Sequence, residues 1–170
     1  MNLPSTAANK GFTLCDVSAD DVHDYVRIMR LCLKPYIDEY PGIFGKWDEE
    51  TVAKDFTDKM GRTFFQKLLL HDETVGFLVY NVQKDVIDGI SINLVEKTQN
   101  KGIGSAYLKH IIGLSEALGV PIHLYVMRAN PAQHLYARFG FEVCDSQEAF
   151  IQMKYTPSKE GAGAPDPKEA

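Results

Sequence analysis

The chain has 170 residues and a formal net charge of −5, with 45% hydrophobic and 24% charged residues. That length suits one compact domain rather than two, and mild acidity without a Lys/Arg cluster argues against a duplex nucleic-acid binder. No apolar stretch approaches the ~18 residues of a membrane span, and Met1 to Gly11 lacks the apolar core of a secretory signal. The three cysteines, Cys15, Cys32 and Cys144, are odd in number and form no Cys-x-x-Cys pair. They suggest neither a disulfide framework nor a metal site, and they read as thiols of a cytoplasmic protein.

In chain order, Phe12 to Val17 reads as a first strand. Ser18 then stands as a cap with Asp20 and Asp21 in the first helical turn. Val22, Tyr25, Val26, Met29 and Leu33 recur at helical spacing, and Pro35 is expected to end that helix. Pro35 to Trp47, broken by Pro41, Gly42 and Gly45, is expected to be a loop or an interrupted helix. Its aromatics Tyr36, Tyr40, Phe44 and Trp47 either line a specificity loop or pack over the edge of the core. Asp48 caps a second helix with Val52, Phe56 and Met60 inward. Three strands follow, over 64–70, 74–80 and 86–94, the last with alternating Ile90, Ile92 and Leu94.

The next helix presents Leu108, Ile111, Ile112, Ser115 and Leu118 on one face and stops at Gly119 and Pro121. Ile122, Leu124 and Val126 form the inner side of a fifth strand. Asn130-Pro131 starts a last helix with Ala132, Leu135, Tyr136 and Phe139 inward, and 141–144 and 150–153 read as an antiparallel pair. Residues 1–10 are expected to be a flexible leader, 11–156 the domain, and 157–170, with no large apolar residue, a disordered tail. Hairpin strands ahead of a β-α-β unit predict an α+β fold, a mixed and mostly antiparallel sheet with helices on both faces.

The chemistry-bearing stretch is Gln99-Asn100-Lys101-Gly102-Ile103-Gly104, between a strand and a helix. A glycine-rich turn at a helix N-terminus offers free N–H groups and the positive end of the helix dipole to an anion. The dinucleotide fingerprint needs a third glycine where Tyr107 stands and an acid in the next strand, which Pro121 to Met127 lacks. The P-loop needs a Gly-Lys-Ser or Gly-Lys-Thr ending, which does not occur. Tyr136, on an apolar stripe, reads either as a core aromatic or as a proton donor. His123 reads as a hydrogen-bonded strand residue or a base, and His134 as an exposed helix residue.

The remaining pattern, Gln-x-x-Gly-x-Gly, resembles the pyrophosphate-binding signature of the GNAT superfamily of acyl-CoA N-acyltransferases. A second stretch, Asn130 to Phe141, resembles the family's Asn, Leu-Tyr and Gly-Phe ending. The resemblance covers roughly residues 11–155. It implies that the main chain of Gln99, Asn100, Lys101, Gly102, Ile103, Gly104 and Ser105 holds the pyrophosphate of acetyl-CoA. It implies that Leu94, Val95 and Glu96 pair with the pantetheine arm, that Asn130 contacts the coenzyme, and that Tyr136 protonates the departing thiolate. Glu96 stands where members often carry proline.

The implied reaction is direct attack of a primary amine of a small molecule on the thioester, with no metal, nucleic acid or membrane involved, by a monomer or homodimer. A protein or peptide acceptor, and a non-catalytic acyl-CoA-binding regulator, are the alternatives. A backbone donor near Leu94 or Val95 is expected to stabilise charge on the carbonyl oxygen. The sequence names no single base: Glu96, His123, His134, Asp38, Glu39, Asp48, Glu49 and water all remain open.

Overall fold

The computed structural model describes residue 3 and residues 5–158. Strands β1 (Phe12–Asp16), β2 (Phe64–Leu70), β3 (Glu73–Val82), β4 (Ile87–Leu94), β5 (Ile122–Met127), β6 (Glu142–Ser146) and β7 (Phe150–Tyr155) form one seven-stranded sheet in the order β1-β2-β3-β4-β5-β7-β6. The pairings are antiparallel except between β4 and β5, which run parallel. Helices α1 (Ser5–Ala8), α2 (Val22–Glu39), α3 (Pro41–Phe44), α4 (Glu49–Lys59), α5 (Ile103–Leu118) and α6 (Ala132–Arg138) complete the chain. Among the described residues no helix is long and apolar enough to cross a membrane.

The alternation of β3 and β4 feeds two cores. On one face, α2 and α4 bury Tyr25, Ile28, Met29 and Phe56 against Phe65, Phe77 and Val79, each side chain contributing about 1.5–3 kcal/mol. On the other, Tyr107, Leu108 and Ile111 of α5 and Tyr136 of α6 pack on Ile87, Ile90, Ile122 and Leu124. Ala7 in the first helical turn is buried against Phe12, Leu68, Val75 and Ile103. Of the expected tail, Ser158 donates to the Glu116 carboxylate, and residues 159–170 lie outside the described residues.

Several boundaries depart from the sequence reading. Pro35 does not end α2, which runs on to Glu39. Proline removes the bond to the Leu31 carbonyl and crowds it, but Leu31 lies on the solvent side of α2, 59% exposed, where a helix tolerates a bend. The interrupted segment is the end of α2 plus the single turn α3. Leu118 is 54% exposed, because the last turn of α5, past Ser115, stands clear of the core. The cap position of α6 is Pro131 rather than Asn130, although the Asn130 side chain still accepts from the Ala132 N–H at 2.9 Å.

Candidate functional site: a cleft between β4 and β5

β4 and β5 are joined at the pair Ile87 and Ile122, next to an Ile87 N–H bond to the Pro121 carbonyl at 2.9 Å. Beyond it the strands part. The register of β3 and β4 shifts so that Gly89 and Ile90 together oppose Tyr80, and Gly89 has φ 62°. This is a bulge with a left-handed glycine. The buried Tyr107 hydroxyl donates to the Val79 carbonyl beside the bulge and props it from α5.

A bulge reverses which residues face the neighbouring strand. The Val95 N–H bonds to the Val75 carbonyl at 3.0 Å, so in the antiparallel alternation Ser91, Asn93 and Val95 face β3 while Ile92 and Leu94 face the cleft. Val95 therefore has no free N–H for a ligand. The Leu94 carbonyl accepts from the Gln99 side chain at 3.0 Å and from Cys32 at 3.6 Å. Burial pushes the Cys32 thiol up to about 11, which leaves it a weak donor and an inert nucleophile.

At the C-terminal end of β4, Glu96–Thr98 form a 3-10 turn, pinned by a hydrogen bond from the buried Thr98 hydroxyl to the Val95 carbonyl at 2.7 Å. Asn100 (φ 58°) and Gly102 (φ 79°) then take left-handed conformations and curl the main chain into α5. The Ala106 N–H makes the first intrahelical bond, to Gly102, so the amides of Ile103, Gly104 and Ser105 point out of the helix end. Lys101, Gly102, Asn100 and Gln99 are exposed there.

The two glycines serve different needs. Gly102 is required by its backbone, since a Cβ there meets open space. At Gly104 a Cβ would lie 3.1 Å from Leu135 Cδ2, so that glycine admits α6 against α5.

The parted strands flank a half-open cavity of about 220 Å³. Ile90, Ile92, Val126 and Tyr136 line it from the α5–α6 face. Ser91, Asn93, Tyr125 and Met127 reach it from the opposite face of the same strands, below Leu33 and Ile37 of α2, Phe44 of α3 and Phe150 of β7. Burial pushes the Tyr136 hydroxyl up to about 12, so it keeps its proton at neutral pH. That hydroxyl has no hydrogen-bond partner among the described residues. Asn130 also lines the cavity. Gln133 braces the loop beneath it by donating to the Met127, Arg128 and Asn130 carbonyls.

The nominated bases lie elsewhere. Asp38 pairs with Lys34, Glu49 with Arg30, and Asp48 caps α4. Glu96, Glu39 and His134 are exposed, and none of these, nor His123, lines the cavity. Sequence reasoning missed Leu33, Ile37, Ser91, Asn93, Tyr125, Met127 and Phe150. Asn93, a buried polar residue inside an apolar strand, was the signal available. Of the aromatic quartet, Phe44 reaches the cavity while Trp47 packs on the core of α2 and α4. Among the described residues no group of three potential metal ligands comes together.

The family model for the acetyltransferase (GNAT) family matches residues 28–141, a span from within α2 through the cleft, the turn and α6. The chain belongs to that family. This GNAT acyltransferase has the fold of several solved structures. The PaiA N-acetyltransferase of Thermoplasma acidophilum, solved with coenzyme A, is 18% identical with a TM-score of 0.65, over 85% of this chain and 98% of that one. The ribosomal-protein-S18-alanine N-acetyltransferase of Escherichia coli is 21% identical with a TM-score of 0.64, over 91% and 99%. YncA of Salmonella typhimurium, a putative acetyltransferase solved with acetyl-CoA, is 13% identical with a TM-score of 0.60, over 92% and 99%. No curated protein sequence matches this one significantly.

Proposed function

We propose that this GNAT protein transfers an acetyl group from acetyl-CoA to the primary amine of a small molecule. The observation that carries the reading is the parting of β4 from β5, with outward amides at one end and a protonated Tyr136 in the cavity wall. The amides of Ile103, Gly104 and Ser105, with Asn100, Lys101 and Gly102 in the turn before them, suit a pyrophosphate by hydrogen bonding and helix dipole. The Leu94 N–H and the Ile92 carbonyl are cleft-facing main-chain groups that suit the amides of a pantetheine arm, and the main chain of Gln99, Val95 and Glu96 shapes the turn beyond. Asn130, its Oδ1 engaged by α6, has its Nδ2 left for the coenzyme.

Acetyl-CoA supplies an activated acyl group: the amine nitrogen bonds to the carbonyl carbon, the carbon–sulfur bond breaks, and the sulfur takes a proton. The cavity holds amine and thioester together, an effect worth ~7 kcal/mol or more when aligned. The Ile92 N–H, facing the cleft inside the cavity, is placed to stabilise charge on the carbonyl oxygen, at about 3 kcal/mol. Tyr136 is the proton donor to sulfur. Phe44 and Phe150, in edge contact along one side of the small cavity, support a small acceptor.

Thiol release from acetyl-CoA across an amine panel, with mass detection of the N-acetyl product, tests this. Amine-dependent release is expected. Coenzyme binding without release on any amine would leave a regulator, and no coenzyme binding at all would end the reading.

A further inference from the structure

The acceptor side of the cavity is uncharged. Its wall is Leu33, Ile37, Phe44, Tyr125, Met127 and Phe150, and no residue lining the cavity carries a carboxylate, an ammonium, a guanidinium or an imidazole. Of the acids on the neighbouring helices, Asp38 pairs with Lys34 and Glu49 with Arg30, and Glu39 is exposed at the end of α2, outside the cavity lining. A polycation entering here would lose its hydration and find no countercharge.

Phe44 and Phe150 instead meet edge to face, centroids 5.3 Å apart at 89°, and Tyr40 meets Phe44 at 6.5 Å. This roof can take a further ring in the same geometry. At about 220 Å³ the half-open cavity is small beside the ~300–1,000 Å³ of drug-sized sites, which suits a compact group such as one ring. On the floor, the Asn93 side chain donates to Ser91 Oγ at 2.5 Å, and Asn93 Oδ1 has no partner among the described residues. Those two oxygens can accept N–H bonds from a neutral amine.

We propose that the acceptor is a primary amine on a short arm from an uncharged apolar group, above all an aromatic ring, selected by Ile37, Phe44 and Phe150. This rests on the N-acetyl-transfer reading for its chemistry, but not for its pocket.

Calorimetric titration of the coenzyme A-loaded protein with 2-phenylethylamine, spermidine and the tripeptide Phe-Ala-Ala tests it, with kcat/KM on the same three. Binding of 2-phenylethylamine or the tripeptide at least tenfold tighter than spermidine is expected, and the tighter of the two tells a free amine from a peptide terminus. Ile37→Asp, which adds a carboxylate, narrows that ratio at least fivefold, and Phe44→Ala provides a second variant should the first misfold. Spermidine binding as tightly as the aromatic amine, or a ratio unchanged in both variants, overturns the proposal. If coenzyme A fails to bind, the transfer reading falls, and the same titration of the free protein still decides the pocket's preference.

Discussion

The Gln99 side-chain amide donates to the Leu94 carbonyl at 3.0 Å, clamping the turn before α5 to the end of the strand that lines the cleft. One neutral hydrogen bond contributes about 1 kcal/mol. Gln99→Ala is therefore expected to weaken coenzyme A roughly fivefold by calorimetry. Unchanged affinity would show that Thr98 and the left-handed residues hold the turn without help.

Gly102 separates backbone strain from charge. Gly102→Ala imposes about 1–2 kcal/mol of strain at φ 79° with nothing for the Cβ to strike. Gly102→Glu adds a carboxylate beside the N-terminus of α5. Both variants should lose a few degrees of Tm, but the glutamate should weaken coenzyme A at least tenfold more than the alanine does. Equal affinities of the two variants would place the pyrophosphate elsewhere.

Tyr136→Phe should lower turnover on the order of 10²-fold with coenzyme affinity unchanged. Because the hydroxyl sits at about 12, its proton is retained until strongly alkaline pH. The rate should thus rise with pH toward the acceptor's own pKa, since only the free amine attacks, and should show no alkaline fall below about pH 11. An alkaline limb near pH 9 in kcat would point to another acid.

A stability prediction concerns Asp21, buried between Lys67 at 2.7 Å and the Ser18 N–H at 2.7 Å. Burial alone would raise its pKa, but the Lys67 and Ser18 bonds together outweigh burial and lower it. A folded-state value below the unfolded one stabilises above the ordinary carboxylate range and stops doing so as pH falls through the lowered value. Asp21→Asn should cost about 2 kcal/mol at pH 7, or roughly 4–8 °C in Tm. The gap to wild type should close below about pH 4. A gap independent of pH would mean that packing, not charge, is what the substitution removes.

Local chemistry made much of this molecule legible. The apolar run at 64–70 is β2 to the residue, and Asp48 caps α4 as its spacing required. Gly102 and Gly119 bracket α5 in left-handed conformations. Nothing local distinguished Gly104's contact with Leu135 from a ligand contact, because that neighbour comes from another helix. Pro35 misled because whether a proline ends a helix or is absorbed within it depends on which side of the helix faces solvent, which is a tertiary fact. The cavity wall was least legible: Ile37, Tyr125 and Phe150 come from three elements and meet only once the strands diverge.

Pro35 divides α2 at a telling place. Before it lie Tyr25, Ile28 and Met29, fixed in the core; after it comes Ile37, over the cavity, followed by Phe44 in α3. One missing rung in the ladder makes that point the softest along the rod. Any change of tilt at that point would carry Ile37 and Phe44 together, while the girder below, held by Tyr25, Ile28 and Met29, stays bolted to the sheet.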